Sequence, residues 1–134
     1  KDFEILFEQP FSFVVDAIDS LSPKVFLIVH TLQRNYPIIS SMGAGGKIDP
    51  SLVKITDISQ TFNCKLSRMV RKRLVKFGIK QGLPVVFSAE VVDPQTVVFT
   101  ENERNKKTTV GTISYLPAIF GLYAASHVIR QIIS

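Results

Sequence analysis

The sequence predicts an α/β fold, because a helical segment stands between two short runs that are apolar on both faces. The runs are residues 13–15 and 37–40, and such runs are typical of central parallel strands that helices cover. Between them, Ser22 and Pro23 predict a helix N-terminus, with Ser22 as the N-cap and Pro23 as the first helical residue. Strand, helix and strand in this order form a crossover unit, the building block of α/β folds.

The remaining elements follow from periodicity and turn residues. The first helix is expected to end near Gln33 and to bury Val25, Ile28 and Val29. After a glycine cluster at residues 43–46, the pattern predicts strands at residues 52–58, 84–88 and 96–100, an amphipathic helix at residues 66–77 that ends at Gly78, a mobile loop at residues 101–109 and a final helix from about Pro117.

Composition predicts a folded chain from a reducing compartment. The 134 residues are 46% apolar and 20% charged, which suits one domain or a large piece of one. The single cysteine, Cys64, excludes an internal disulfide and a zinc site built on cysteine pairs. It is either a reactive thiol near a helix N-terminus or, as we favour, a structural residue. The first residues lack the layout of a signal peptide, so a cytoplasmic protein is expected.

The most apolar stretch, residues 115–133, is almost long enough to span a bilayer. It contains Pro117, Gly121, His127 and Arg130, and its last part is amphipathic. Membrane-spanning helices seldom carry that much polarity. We therefore expect a buried core helix and no stable membrane association.

The positive charge is concentrated in one segment. Residues 58–89 contain seven Lys and Arg residues and no Asp or Glu, although the net charge of the whole chain is only +5. On the predicted helix of residues 66–77, the basic side chains line the face opposite the apolar one. A solvated helix face usually interleaves acids, so we favour a polyanionic partner such as nucleic acid over a solvated surface. The segment lacks interleaved aromatic residues, so base stacking is not indicated.

Two further features stand where open α/β sheets bind ligands, beyond the carboxyl ends of strands. Asp16 and Asp19 follow the first strand and either contact a nucleotide through Mg²⁺ or cap the next helix; spacing alone leaves both open. The glycine cluster at residues 43–46 permits close backbone approach. It is neither a Walker loop nor a dinucleotide fingerprint, and a tight connection is its commoner role.

Taken together, short boxes in a particular order resemble a known family. The Asp-Ala-Ile-Asp-Ser box at residues 16–20 is typical of ThiF/MoeB/HesA adenylating enzymes. The Gly-Ala-Gly-Gly-x-Ile-Asp-Pro box at residues 43–50 precedes a basic helix and a Val-Phe-Ser-x-Glu strand at residues 86–90. That order resembles the tRNA threonylcarbamoyladenosine dehydratases, and the resemblance runs over residues 13–133.

The resemblance implies a Rossmann-like ThiF-type domain with a mixed sheet flanked by helices, which binds ATP and Mg²⁺ and forms a homodimer. Such an enzyme adenylates the threonylcarbamoyl carboxylate of a modified tRNA and then closes a ring with loss of AMP. By this resemblance Asp16, Asp19 and Lys24 lie in the nucleotide site, and Asp19 is the Mg²⁺ contact. No catalytic residue is identified. Six basic residues are implied to hold the tRNA backbone: Lys65, Arg68, Arg71, Lys72, Arg73 and Lys76.

Three departures from the family pattern shape the expectation. The family's glycine-rich nucleotide loop lies in an N-terminal half that these residues do not contain. Residues 1–134 are therefore expected to form a single partial domain, the C-terminal half, inactive alone. The loop at residues 101–110 lacks the cysteine of some relatives, which weakens a sulfur-acceptor role, while a sulfur-transfer protein stays a candidate partner. The zinc-binding cysteine pairs of MoeB-type relatives are also missing, which favours the dehydratases.

Two alternatives stay open at this stage. One is an adenylyltransferase that activates the C-terminus of a ubiquitin-like sulfur-carrier protein, which is expected to depend on an apolar groove more than on basic residues. The other is a non-catalytic dimerisation or docking module. Its final helix carries small residues at Gly121, Ala124 and Ala125 that permit close packing on a partner.

Overall fold

The computed structural model describes residues 2–92 and 114–134. Eight helices and strands lie in these ranges: α1 (Asp2–Leu6), β1 (Val14–Asp16), α2 (Leu21–Gln33), β2 (Ile38–Ser41), β3 (Val53–Asp57), α3 (Lys65–Val75), β4 (Pro84–Ser88) and α4 (Tyr115–Ile133). Single-turn 3-10 helices, Pro50–Leu52 and Ile58–Gln60, flank β3. The predicted strand at residues 96–100 and the predicted loop at residues 101–109 lie outside the described residues.

The four strands form one mixed sheet in the order β1-β2-β4-β3. β1 pairs in parallel with β2, and β2 pairs in parallel with β4. β3 pairs antiparallel with β4, with Ile55 opposite Val86. The α/β fold with a mixed sheet flanked by helices is thus confirmed, and β1-α2-β2 is the predicted crossover unit.

Helices cover both faces of the sheet. Because neighbouring strand residues point to opposite faces, Ile38 and Val85 pack with α2 and α3, whereas Ile39 and Val86 pack with α4. Each of these four side chains is at most 3% exposed. The layers explain the apolar run of β2, whereas the prediction of a central covered strand at residues 13–15 was wrong: β1 pairs only with β2 in the described sheet, and Val15 is 51% exposed.

The start of α2 differs from its prediction. The helix begins at Leu21 with Ser20 in the N-cap position, so Ser22 as N-cap was wrong. Pro23 is tolerated in the first turn because the first four N–H groups of a helix have no intrahelical partner. The predicted stripe of Val25, Ile28 and Val29 is buried.

The final helix lies against the sheet along one stripe only. Leu116, Phe120 and Ala124 are buried, whereas Leu122 and Ile133 are 68% and 75% exposed. The expectation of a buried core helix was therefore wrong for most of its surface, because a single sheet face covers only one side of a helix. Within residues 2–92 and 114–134, α4 is the one helix whose length and hydropathy suffice to cross a membrane.

Asp57 ties the end of β3 to two neighbouring turns. Its carboxylate accepts hydrogen bonds from the Ser59 N–H at 2.9 Å, the Ser59 hydroxyl at 2.7 Å and the Gly82 N–H at 2.7 Å. Partial burial raises the pKa of Asp57, and these hydrogen bonds lower it. The hydrogen bonds have the larger combined effect, so the pKa lies below its ordinary value of 3.8.

We expect Asp57→Asn to lower the free energy of unfolding by about 0.5 to 1 kcal/mol near neutral pH, since an N-cap carboxylate is lost from a partly solvated site. The lowered pKa stabilises the fold above pH 3.8, and this contribution disappears as the pH falls through the folded-state value. Urea unfolding of both proteins at several pH values measures this. A difference that stays constant down to the lowest pH would contradict the assignment.

Candidate functional site

A cleft lies beyond the carboxyl ends of β1 and β2, between the sheet edge and α4. Its volume is about 550 Å³, within the range of small-molecule sites. We call it the strand-end cleft. Val15, Ala17 and Asp19 line one side, and Ser41 to Gly45 form its floor. α4 completes the lining with Phe120 and with four smaller residues: Pro117, Gly121, Ala124 and Ala125.

Asp16 and Lys24 form a buried ion pair beneath this cleft. Lys24 Nζ lies 2.8 Å from Asp16 Oδ2, and both side chains are fully buried. Lys24 Nζ also donates to the carbonyls of Ile18 at 2.9 Å and Ser41 at 2.7 Å. The pair thereby joins the loop after β1 to the end of β2. In this arrangement the polar atoms of Asp16 and Lys24 face protein groups, and their contact with a nucleotide stays a prediction.

Asp16 is satisfied on both carboxylate oxygens. The Ser40 hydroxyl donates to Oδ2, and the Ile18 N–H donates to Oδ1 at 3.0 Å. The second contact is a local turn, so the carboxylate shapes residues 16–18 rather than the helix that follows. The helix-capping alternative is not realised for either aspartate, since Ser20 occupies the N-cap position of α2.

Asp19 is the exposed carboxylate at the rim of the strand-end cleft. Asp19 is on the loop after β1, and this loop is fixed by the ion pair of Asp16 with Lys24 and by the Lys24 hydrogen bond to the Ile18 carbonyl. Among the described residues, no group of three His, Cys, Asp or Glu side chains is arranged to hold a metal ion by itself. A single carboxylate still suits Mg²⁺, which usually takes one or two carboxylates together with substrate phosphates.

Sequence reasoning assigned no role to Lys47 and Glu90, which join two of the family-like boxes. Lys47 is 3% exposed, and its Nζ donates to the carbonyls of Asn63 at 2.7 Å, Ser88 at 3.0 Å and Glu90 at 2.7 Å. Burial lowers the pKa of Lys47, while the neighbouring carboxylate of Glu90 opposes that shift. A lysine at 3% exposure needs this full set of acceptors.

Glu90 completes the connection from the other side. Its Oε1 accepts from the N–H groups of Ile48 and Asp49, both at 2.8 Å. The Tyr115 hydroxyl donates to the Ile48 carbonyl at 2.7 Å, which ties the start of α4 to the same box. The glycine box and the Val-Phe-Ser-x-Glu strand therefore form one hydrogen-bonded unit beside the strand-end cleft. The two segments are far apart in sequence, so this hydrogen-bonded unit is visible only in the folded structure.

Gly46 has a steric requirement that Gly78 lacks. Both have a φ of +77°, but a Cβ at Gly46 would lie 2.8 Å from Val92 Cγ1, whereas nothing lies within 4 Å of one at Gly78. We expect Gly78→Ala to cost about 1 kcal/mol from backbone strain, and Gly46→Ala about 2 to 4 kcal/mol because overpacking is added. Thermal or urea unfolding of the two variants measures this difference. Equal losses would contradict the proposed contact.

The basic face of α3 is exposed as predicted. Lys65, Arg68, Lys72 and Lys76 are exposed, and Val70 and Leu74 are buried on the opposite side. Among the described residues, no carboxylate lies within 4.0 Å of the six predicted tRNA-binding cations. A face of this kind keeps its full positive potential for a partner.

Two of the six cations also have partners within the protein. Arg71 donates to the carbonyl and hydroxyl of Thr61, and Arg73 lies 3.5 Å from the Ser22 hydroxyl. Their guanidinium groups are partly committed to holding α3 in place. Cys64 is buried and occupies the N-cap position of α3, with its Sγ 3.4 Å from the Ser67 nitrogen. That placement agrees with the structural role favoured for Cys64.

Comparison with known proteins gives one consistent answer. No protein-family model matches the chain. The tRNA threonylcarbamoyladenosine dehydratase of Bacillus subtilis is 32% identical over 144 residues, covering 99% of this chain and 55% of that protein. Dehydratase 2 of Saccharomyces cerevisiae is 34% identical and covers 90% of this chain.

The solved structures agree. The Escherichia coli dehydratase in complex with AMP superposes with a TM-score of 0.83 and 31% identity, over 98% of this chain and 52% of that one. The same enzyme has been solved with ATP. The chain is homologous to part of the tRNA threonylcarbamoyladenosine dehydratases. The resemblance inferred from the short boxes is confirmed.

The chain spans about half the length of the bacterial dehydratases, 55% for Bacillus subtilis and 52% for Escherichia coli, and 30% of the length of yeast dehydratase 2. Asp19 and the six cations were singled out from sequence, and the fold places Asp19 at a cleft and the cations along one helix. Lys47 and Glu90 were missed as individual residues. The signal was present in the order of the two boxes, but only the fold shows that these boxes touch.

Proposed function

We propose that this chain is part of an ATP-dependent tRNA threonylcarbamoyladenosine dehydratase, and that by itself it is inactive. One observation carries the proposal: an exposed carboxylate at a strand-end cleft lies on the same domain as a helix face of uncompensated cations. The first suits a nucleotide with its metal ion, and the second suits an RNA backbone. The dehydratases matched over nearly the whole chain support the same reading.

The proposed reaction has two steps. A carboxylate oxygen of the threonylcarbamoyl group attacks the α-phosphorus of ATP, and the bond to pyrophosphate breaks. An internal nucleophile of the same modification then loses a proton and attacks the activated acyl carbon. The bond to AMP breaks, and the former carboxylate oxygen leaves with it. The nucleoside is lighter by one water, because adenylation has made a poor leaving group into a good one.

In this proposal Asp19 contacts the nucleotide through Mg²⁺, which offsets the phosphate charge when bound. Asp16 and Lys24 serve the nucleotide site as positioning residues, since their ion pair fixes the loop that carries Asp19. The α3 cations hold tRNA. The protein is proposed to act in the cytoplasm as a homodimer.

The alternative is an adenylyltransferase for the C-terminus of a ubiquitin-like sulfur-carrier protein. It would use the same strand-end cleft, but its partner would need an apolar groove rather than a basic helix face. The exposed side of α4 offers apolar surface, with Leu122 68% exposed and Ile129 57% exposed. The same surface also suits a docking module.

The deciding experiment uses the full-length native protein. It is incubated with ATP, Mg²⁺ and tRNA bearing threonylcarbamoyladenosine. The tRNA is then digested, and the masses of its nucleosides are measured by mass spectrometry. We expect the modified nucleoside to lose one water while AMP is released. A well-folded protein that binds ATP but leaves the nucleoside mass unchanged would favour the carrier-protein adenylyltransferase.

The matching variant is Asp19→Asn, which keeps the side-chain volume and removes the charge. We expect a loss of dehydratase activity on the order of 100-fold or more, since a metal-phosphate contact is lost at the reacting end of the nucleotide. Glu8→Gln, an exposed carboxylate on a different part of the chain, is the control and should keep activity. Unchanged activity in Asp19→Asn would remove this residue from the site.

A further inference from the structure

We propose that a second cleft beside the glycine box binds the adenine base of threonylcarbamoyladenosine; this rests on the proposed function. We call it the side cleft. Its volume is about 440 Å³, and its apolar wall is formed by Leu66, Met69 and Val92. The volume falls within the range of small-ligand sites.

The side cleft adjoins the strand-end cleft along the glycine box. Gly43 and Gly45 line both clefts, so the segment of residues 43–45, whose one side chain is the methyl group of Ala44, forms the ridge between them. A Cβ at Gly43 would lie 3.8 Å from the Leu66 Cβ. Because no side chain on this ridge is larger than a methyl group, we infer a path across it from the side cleft to the cleft that Asp19 lines. A short chain ending in a carboxylate is the kind of group that such a path admits.

The other end of the side cleft adjoins cations. Asn63, Cys64 and Lys65 line both the side cleft and a smaller notch of about 360 Å³ that Arg68 and Arg71 complete. The order along the surface is therefore carboxylate, glycine ridge, apolar cleft and cations. A modified nucleotide has the same order, from the reacting group through the base to the phosphates. This charge complementarity selects a nucleotide of an RNA strand as the occupant.

The base of the side cleft is held rigidly. Lys47 Nζ anchors the Asn63 carbonyl, and the Asn63 side chain donates to the Ala89 carbonyl at 2.8 Å. Asn63 also keeps a left-handed backbone with a φ of +55°. These bonds shape the cleft before a ligand arrives, which lowers the entropy loss on binding. The wall is aliphatic, so an unstacked base is expected to be held by apolar contact rather than by aromatic stacking.

The test fills the side cleft without touching the strand-end cleft. Met69 is 36% exposed, so Met69→Trp enlarges a surface side chain on the wall of the side cleft. Val75→Trp is the control, because Val75 is 52% exposed on the same helix and lines neither cleft. Both are made in the full-length native protein. Met69→Ala is a second variant that shortens the wall and carries no risk of overpacking.

We expect Met69→Trp to raise KM for tRNA bearing threonylcarbamoyladenosine by about 10-fold or more, as a misfit in a binding pocket does. ATP affinity should stay as in Val75→Trp, since Met69 does not line the strand-end cleft. Met69→Ala should raise KM by a smaller factor. An unchanged KM in both Met69 variants, with the parent protein still producing the dehydrated nucleoside, overturns the side-cleft assignment alone. A parent protein that produces no dehydrated nucleoside overturns the proposed function, and this assignment with it.

Discussion

Lys24→Met is expected to lower the free energy of unfolding by about 3 to 5 kcal/mol, the largest stability change among the variants considered. Lys24 is fully buried, and it neutralises Asp16 while donating to the Ile18 and Ser41 carbonyls. Methionine fills a similar volume but leaves the carboxylate of Asp16 charged and without its cation. Proteins have a total free energy of unfolding of only about 5 to 15 kcal/mol, so a loss of this size removes a large part of the stability.

The measurement is urea unfolding of the full-length native protein with and without the substitution. Lys80→Met, at an exposed lysine, is the control and should change stability by less than about 0.5 kcal/mol. Adding Asp16→Asn to Lys24→Met should restore part of the loss, because the uncompensated charge is then gone. If Lys24→Met is as stable as Lys80→Met, the ion pair does not brace the loop that carries Asp19.

Reversing two charges on α3 is the variant with the largest expected effect on RNA binding. Arg68→Glu with Lys72→Glu removes two exposed cations that lie more than 4.0 Å from every described carboxylate. We expect tRNA affinity to fall on the order of 100-fold at low salt. The slope of log affinity against log salt should drop by about 1 to 2, since each phosphate contact releases counterions. Arg71 and Arg73 are less suitable, because their bonds to Thr61 and Ser22 also hold α3.

The matched control is Lys54→Glu with Arg130→Glu. It changes the net charge by the same amount, but neither residue is on α3: Lys54 is on β3, and Arg130 is on α4, which packs on the opposite face of the sheet from α3. Fluorescence anisotropy with labelled tRNA over a range of salt concentrations measures both variants. Equal losses of affinity in the two would mean that net charge, rather than the α3 face, governs tRNA binding.

Much of the fold was predictable because its elements have strong local patterns. The strand Pro84–Ser88 was predicted with its observed bounds, and α3 and α4 were predicted to within two residues at their starts. Errors fell where local pattern is weak: α2 starts at Leu21 rather than Pro23, and the short α1 was not predicted. Helix ends depend on capping geometry, which the local sequence constrains only loosely.

The sequence by itself determined the α/β class, the basic face of α3, the position of Asp19 just after a strand and the resemblance to the dehydratases. All of these follow from residues close together along the chain, where periodicity and short motifs act. The tertiary structure alone decided that Asp16 and Lys24 pair beneath the strand-end cleft, that Lys47 and Glu90 join two boxes, and that α4 buries one stripe. The physical reason is that distant segments meet only in the folded sheet. Lys47 and Glu90 are 43 residues apart, and Lys24 bonds to Ser41, 17 residues further along the chain, as well as to Asp16.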